Sequence, residues 1–228
     1  ITFTGSTGVG RRIAAAAAAR GIPVQAEMGG KNAAVVLDDA DFDLAVDQVM
    51  LGAFRSTGQK CTATSRLVLT VGIADRFLSA LTARADALTV GDPAADGTEM
   101  GPVVSGTAQS SIVDGIDTAA AQGAAVLAGG GRYSDGPLSQ GYFVAPTVVE
   151  LSGPADIWTE ELFGPVLAVR RASDAEEAFA LANDSEFGLS AAVFTQDLTR
   201  ALQAMECIDV GVLHINSESA GADPHVPF

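Results

Sequence analysis

Basic residues are scarce. Thirteen Lys and Arg stand against 28 Asp and Glu in 228 residues, a net charge of −15 with both histidines neutral. A surface so poor in cations argues against nucleic acid, whose phosphates need neutralising by Lys and Arg. It argues equally against docking on an anionic membrane face. There are only two cysteines, Cys61 and Cys207. They cannot make a disulfide scaffold and suit a reducing, cytoplasmic setting, with a single bridge left open. No apolar run approaches the ~18–20 residues of a membrane span. The longest stretch of small apolar residues, 14–19, is an alanine run flanked by Arg11, Arg12 and Arg20, which reads as helix and not as a signal peptide. The two histidines, His214 and His225, lie at no ligand spacing with a Cys or carboxylate cluster, so no metal is expected.

What is present is a globular composition, 48% apolar and 18% charged. The length suits one domain of roughly 200 residues or two small ones. Strand-like runs fall at 1–4, 24–28, 33–37, 66–71, 125–127, 143–150, 166–171, 190–195 and 210–216. Helical patterns run up to about 20 and 54, and over 74–88, 105–122, 174–183 and 198–206. Gly21 and Pro23 stop the first helix. The alternation predicts an α/β fold with a mainly parallel sheet and flanking helices. Ile1 opens inside a strand pattern, and residues 226–228 end without a terminal helix, so a piece of a longer chain is expected. A strand at 1–4 cut off from its neighbours should then be disordered, rearranged or buried against another copy.

Four segments carry candidate chemistry. Gly5-Ser6-Thr7-Gly8-Val9-Gly10 joins a strand to a helix, where backbone N–H groups and the macrodipole favour a phosphate. Its G-x-x-G-x-G spacing is not the dinucleotide fingerprint, and a plain turn explains it as well. Cys61 sits in Gly58-Gln59-Lys60-Cys61-Thr62, a polar turn beside a cation, where a thiol can act as nucleophile. Cys207, in Met205-Glu206-Cys207-Ile208, reads as a structural thiol of a helix tail. Glu27, in Glu27-Met28-Gly29-Gly30-Lys31-Asn32, is a carboxylate at a strand end before two glycines. It is either a mobile base or a surface charge. Thr159-Glu160-Glu161-Leu162-Phe163-Gly164-Pro165 taken alone is a solvated loop.

Together these segments, with Cys61 34 residues after Glu27 and Glu161 100 after Cys61, resemble the NAD(P)-dependent aldehyde dehydrogenase superfamily. Phe3-Thr4-Gly5-Ser6-Thr7, Asn216 and Pro227-Phe228 extend the likeness over the whole chain. The resemblance implies that residues 1–28 are the last part of a coenzyme-binding domain and 29–228 a catalytic domain. It implies that Cys61 attacks the aldehyde carbonyl, with its own N–H helping to hold the oxyanion, and that Glu27 activates the water that hydrolyses the thioester. NAD or NADP would be held by Ser6 and Gly5 at the pyrophosphate, by Glu161 at the nicotinamide ribose and by Phe163 beside the ring. Gly29 and Gly30 would give the cofactor and Glu27 room. A second oxyanion donor and the adenosine-ribose contacts would lie upstream of Ile1, so little or no turnover is expected of the chain by itself. The implied partners are a small aldehyde and, for the parent, further copies of itself. Within the superfamily, the stretch 54–66 and the tail 215–221 resemble bacterial 2-oxoglutarate semialdehyde (2,5-dioxopentanoate) dehydrogenases. There Arg55 either pairs a substrate carboxylate or caps its helix. Two alternatives stay open, a CoA-acylating relative and a folded, non-catalytic α/β fragment.

Overall fold

The computed structural model describes residues 1–221 and 225. Two parallel strands, β1 (Thr2–Thr4) and β2 (Gln25–Glu27), flank helix α1 (Thr7–Ala18) and form a small sheet of their own. The register is Thr2 with Gln25, Phe3 with Ala26 and Thr4 with Glu27. This corrects the expectation of an unpaired first strand. The return of the chain after Gly21, at φ +66, supplies β1 with a parallel partner inside the same molecule. Pro227-Phe228 lies outside the described residues.

The rest builds one seven-stranded sheet. In chain order its strands are β3 (Asn32–Val36), β4 (Thr64–Thr70), β5 (Ala125–Ala128), β6 (Thr147–Glu150), β7 (Val166–Ala172), β8 (Ser190–Phe194) and β9 (Val212–Ile215). Across the sheet they run β5-β6-β7-β4-β3-β8-β9, and only β5 is antiparallel to its neighbour. The central strands β3 and β8 are buried at every residue, as strands covered on both faces must be. Alternation decides which face each residue meets. Ala33, Val35, Val68, Ala191 and Val193 pack with Ile112, Ile116 and Phe179 on one side. Ala34, Val36, Leu67, Leu69 and Phe194 pack with Phe54, Phe77 and Leu81 on the other. The first side is covered by α4 (Gly106–Ala121), α5 (Ala175–Asn183) and α6 (Leu198–Cys207), the second by α2 (Phe42–Phe54) and α3 (Val71–Ala87). Each large side chain so buried contributes about 1.5–3 kcal/mol.

Side-chain caps start four of the helices where the sequence pattern puts them. Asp41, Ser105, Asp174 and Asp197 accept from Leu44, Ala108, Glu177 and Thr199 N–H groups. Glu177 reaches back to the Ser173 N–H at 2.7 Å, closing a capping box one residue out. Helix α3 begins at Val71 and not at 74. Thr70 ends β4 and is the N-cap as well, so no loop intervenes. Gly72 makes this possible, because a Cβ there would lie 2.6 Å from an Asp38 carboxylate oxygen. Strand β6 is likewise shorter than the extended run 143–150, since Pro146 has no N–H for the ladder.

Parallel α/β sheets usually bind ligands at the carboxyl ends of their strands. Here the motif residues gather at the amino ends of the large sheet. Asn32, Thr64, Val166 and Ser190 open β3, β4, β7 and β8, and the first three stand in or just after segments singled out in the sequence. At the opposite rim, Asp39 accepts from the Thr195 hydroxyl and from the Gln196 and Asp197 N–H groups, which ties that rim shut.

Candidate active site

Cys61 is delivered by a strained turn. After α2, Ser56 and Thr57 adopt φ +57 and +58, and Gly58 follows at +64. The left-handed region costs a β-branched residue such as Thr57 of order 1–3 kcal/mol. Surrounding bonds hold it there. Thr57 Oγ1 donates to the Gly101 carbonyl at 3.1 Å, and the Gln59 N–H to Ser56 O at 3.0 Å. Gln59 Oε1 accepts from the Val104 N–H at 2.8 Å. Gly58 lies against the Gly164-Pro165 backbone, where a Cβ would fall 2.2 Å from the Gly164 carbonyl oxygen. The Cys61 motif and the Glu161-Leu162-Phe163-Gly164-Pro165 motif therefore touch. Cys61 itself is half-buried.

Glu27 ends β2, and its carbonyl accepts from the Gly5 N–H at 3.0 Å. The residue is half-buried, and its Oε1 accepts from the Gln25 amide at 3.4 Å in an exposed bond. From Glu27 the chain crosses Gly29 and Gly30 into β3. The Gly30 N–H donates to Glu161 Oε1 at 3.0 Å. A Cβ on Gly29 would lie 1.9 Å from Glu161 Oε2, and one on Gly30 would lie 2.5 Å from the Cys61 carbonyl oxygen. The two glycines thus bring Glu161 and the Cys61 turn to the strand end that carries Glu27.

Burial raises the Glu161 carboxyl above its usual range, opposed by the Gly30 N–H and by the Lys31 ammonium. Lys31 is 2% exposed. Burial first, and then the Arg66 guanidinium, bring its pKa down to about 7 against the pull of Glu161 and Glu160. Phe163 adopts φ +54 and is 45% exposed, while Leu162 packs into the core beside Gly115. The left-handed backbone turns the aromatic ring out over the cleft edge that Glu161 and Gly30 line.

Ser6 is the N-cap of α1 but makes no side-chain capping bond, and its carbonyl accepts from Val9 and Gly10. The hydroxyl of Thr7 is buried with no partner among the described residues. The cleft that Arg55 lines with Phe54, Arg84 and Glu99 does not include Cys61, and Arg55 donates to no helix carbonyl among the described residues. It meets the buried Glu218 at 2.5 Å, with its own side chain about half exposed. Cys207 departs from the sequence reading. It is exposed at the last residue of α6, because that helix buries only Ala204. The His214 ring Nε2 is buried without a partner among the described residues in edge strand β9, and burial lowers its pKa. Among the described residues no three His, Cys, Asp or Glu side chains gather as a metal site would. Among them, too, no helix is long and apolar enough to cross a membrane.

Three site residues escaped the sequence reading. Asn32 and Ser219 bond to the Cys61 turn from positions remote in sequence. Arg66, 2% exposed, donates to the carbonyls of Lys31, Leu181, Ala182 and Asp184 and lies over the Trp158 ring. It caps the end of α5 and holds the entry to β3 in one grip. Asn32 and Arg66 stood inside the quoted motifs, but only their burial, which no motif displays, marks them out.

A family model described as the aldehyde dehydrogenase family matches residues 1–228. The chain is 44% identical over its full length to alpha-ketoglutaric semialdehyde dehydrogenase of Bacillus subtilis, covering 47% of that protein. It is 43% identical, again over its full length and 47% of the relative, to betaine aldehyde dehydrogenase of Rhizobium etli. Among solved structures, PnpE from Pseudomonas sp. WBC-3 superposes with a TM-score of 0.97 at 42% identity, over 100% of this chain and 47% of that one. Betaine aldehyde dehydrogenase of Staphylococcus aureus, solved with NAD+, gives 0.92 at 38% identity over 95% and 43%. The chain spans about half the length of the curated relatives it matches. With a family model matched from first residue to last, and the same fold in relatives about 40% identical, the chain belongs to the aldehyde dehydrogenase family.

Proposed function

We propose that this chain carries the catalytic part of an enzyme that oxidises an aldehyde to a carboxylic acid with NAD(P)+, and that Cys61 is its nucleophile. The observation that carries this reading is the convergence on one point. The Cys61 carbonyl, the Gly29-Gly30 link after Glu27, and the Glu161 carboxylate pack together at the amino ends of the parallel strands.

The residues present fit a dinucleotide. Ser6 leaves its hydroxyl out of the helix cap, Thr7 keeps an unpartnered buried hydroxyl, and a side chain at Gly8 would meet only open space. Backbone N–H groups at such a helix start suit a pyrophosphate, with Gly5 allowing the turn. Glu161 would accept from ribose hydroxyls and Phe163 would lie beside the base. On this reading residues 1–28 belong to the coenzyme-binding part and 29–228 to the catalytic part. The PnpE and Staphylococcus aureus structures solved with NAD support the choice of cofactor.

The Cys61 thiolate adds to the carbonyl carbon, and the π pair moves to oxygen, where the Cys61 N–H receives the charge. When bound, the nicotinamide supplies the acceptor for the hydride that the adduct carbon loses, leaving a thioester on Cys61. Glu27 takes a proton from water as the water oxygen attacks the thioester carbon. The C–S bond breaks, and the acid and the Cys61 thiolate are released. A base at Glu27 favours hydrolysis over transfer to CoA.

For the substrate, we infer an aldehyde of a 2-oxo or sugar-derived acid, supported by the Bacillus subtilis relative; Arg55 is paired with Glu218 but keeps about half of its side chain exposed, and is the cation to test. The test is a panel of 2-oxoglutarate semialdehyde, betaine aldehyde and a neutral aliphatic aldehyde, with NAD and with NADP, on the whole protein. The semialdehyde is expected to give the highest kcat/KM, and Arg55→Met to raise its KM at least tenfold while sparing the neutral aldehyde. Equal losses on all three would remove Arg55 from substrate recognition.

A further inference from the structure

The turn bearing Cys61 is gripped from behind. Asn32 is 2% exposed at the first residue of β3. Its Nδ2 donates to the Cys61 carbonyl at 2.7 Å and to the Ala63 carbonyl at 2.9 Å. Its Oδ1 accepts from the Ser190 N–H at 3.1 Å, which fixes which end of the amide is which. Both amide hydrogens are thereby spent on the turn. Between the two acceptors, the Thr62 carbonyl accepts from Ser219 Oγ at 2.9 Å. Ser219 is fully buried and shares a second bond, 2.8 Å, with Thr64 Oγ1. The Lys60 carbonyl accepts from the Ala63 N–H at 3.0 Å.

Four successive carbonyls, from residue 60 to 63, are therefore each held by a named donor. A trans peptide carries its N–H opposite its C=O, so fixing the carbonyls fixes the N–H groups of residues 61–64. The Ala63 N–H is spent on the Lys60 carbonyl, and the Cys61 N–H is the one proposed above to receive charge on an adduct oxygen. A side chain on Gly30 would strike both the Cys61 oxygen, at 2.5 Å, and Asn32 Oδ1, at 2.8 Å. The Asn32 bond thus sits where the turn meets the link between Glu27 and β3.

We infer that Asn32, assisted by Ser219, is a positioning residue for the nucleophile: it aims the Cys61 thiol and the N–H groups of its turn by holding their carbonyls. The inference rests on Cys61 being that nucleophile. Misplacement of a reacting group by about 1 Å costs on the order of a hundredfold in rate, so the effect falls on kcat and on intrinsic thiol reactivity. An asparagine serving only to join β3 to β8 would affect melting alone.

The experiment compares Asn32→Ala, Asn32→Asp, Ser219→Ala and Cys61→Ala in the whole protein. Three quantities are measured: the iodoacetamide rate of Cys61 relative to exposed Cys207 in the same molecule, kcat and KM for the aldehyde, and the melting temperature. Asn32→Asp keeps the acceptor for Ser190 and loses both donors to the turn, so it separates the two roles. Both Asn32 variants are expected to lower kcat at least thirtyfold, with KM within about threefold of the parent. Both should also change the Cys61:Cys207 rate ratio at least fivefold. Ser219→Ala should move the same two quantities by a smaller factor, and it decides the matter if the Asn32 variants do not fold. A kcat and a rate ratio within twofold of the parent, with only the melting temperature lowered, would overturn the inference. Turnover surviving in Cys61→Ala would instead overturn the nucleophile reading, whatever the Asn32 variants do.

Discussion

The Glu161 carboxylate fills the space that a side chain at Gly29 would need, with Oε2 only 1.9 Å from the position of a Cβ there. The glycine is thus required by a neighbour 132 residues away, and not by its own backbone angles. Gly29→Ala must push Glu161 off the Gly30 N–H. If Glu161 also holds the nicotinamide ribose, as proposed, its displacement removes a charge-assisted bond to the cofactor worth about 1.5–3 kcal/mol, which predicts a ten- to hundredfold weaker affinity for NAD in the whole protein by calorimetric titration. Cys61 alkylation without cofactor should stay unchanged. Unaltered NAD affinity would separate Glu161 from the cofactor.

Lys31 gives the protein a pH dependence of known sign. Its pKa falls from the ordinary 10.5 to about 7 on folding. Between those values the unfolded chain holds a proton that the folded chain lacks, so this lysine's contribution to stability rises with pH across the window. Below about 7 the full cost of charging a buried ammonium is felt. Lys31→Met is expected to melt higher than the parent at pH 7 and to flatten the rise in melting temperature from pH 7 to 10. Parallel curves for the two proteins would contradict this.

Base and nucleophile separate in rapid kinetics. On the role proposed for Glu27, Glu27→Gln in the whole protein should keep the first-turnover burst of NAD(P)H while slowing the steady rate, because the base would act after the thioester has formed. Cys61→Ala should lose both. A missing burst in Glu27→Gln would place Glu27 before acylation.

Arg66 answers to stability. Its guanidinium serves four carbonyls on two segments, Lys31 before β3 and Leu181, Ala182 and Asp184 at the end of α5. A lysine, with a single nitrogen, cannot span them. Arg66→Lys is expected to cost about 3–5 kcal/mol, a fall in melting temperature on the order of 10 °C for a chain of this size. A shift under 3 °C in thermal melting would mean that the carbonyls find other partners.

Much of this architecture is legible in the sequence because its signals are local. Asp174 with Glu177 marks the start of α5 by itself, and Ser105 does so for α4. The boundary between β4 and α3 was not legible, since Thr70 serves both elements and Gly72 is needed by Asp38, a residue of another loop. The first strand was misjudged for a related reason. Its partner, β2, is made only once the chain has turned back, and nothing in Thr2–Thr4 records that. In the site, the three motifs were legible as motifs, but what aims them was not. Asn32 reaches Ser190 across 158 residues, and Arg55 reaches Glu218 across 163. Such pairings are properties of the packed sheet, and periodicity carries no trace of them.

The polarity of the large sheet has a practical side. The residues proposed for chemistry stand on one rim, while the loops at Asp39 and Asp197 stand on the other, separated by the five residues of β3, or about 17 Å. The far rim can be treated as a handle. Fluorophores, purification sequences or surface linkers grafted there would report on or immobilise the protein while leaving the rim that carries Cys61 uncovered. Cys207, solvent-facing on α6, is then the one side chain to replace first, so that a thiol-directed probe goes where it is sent.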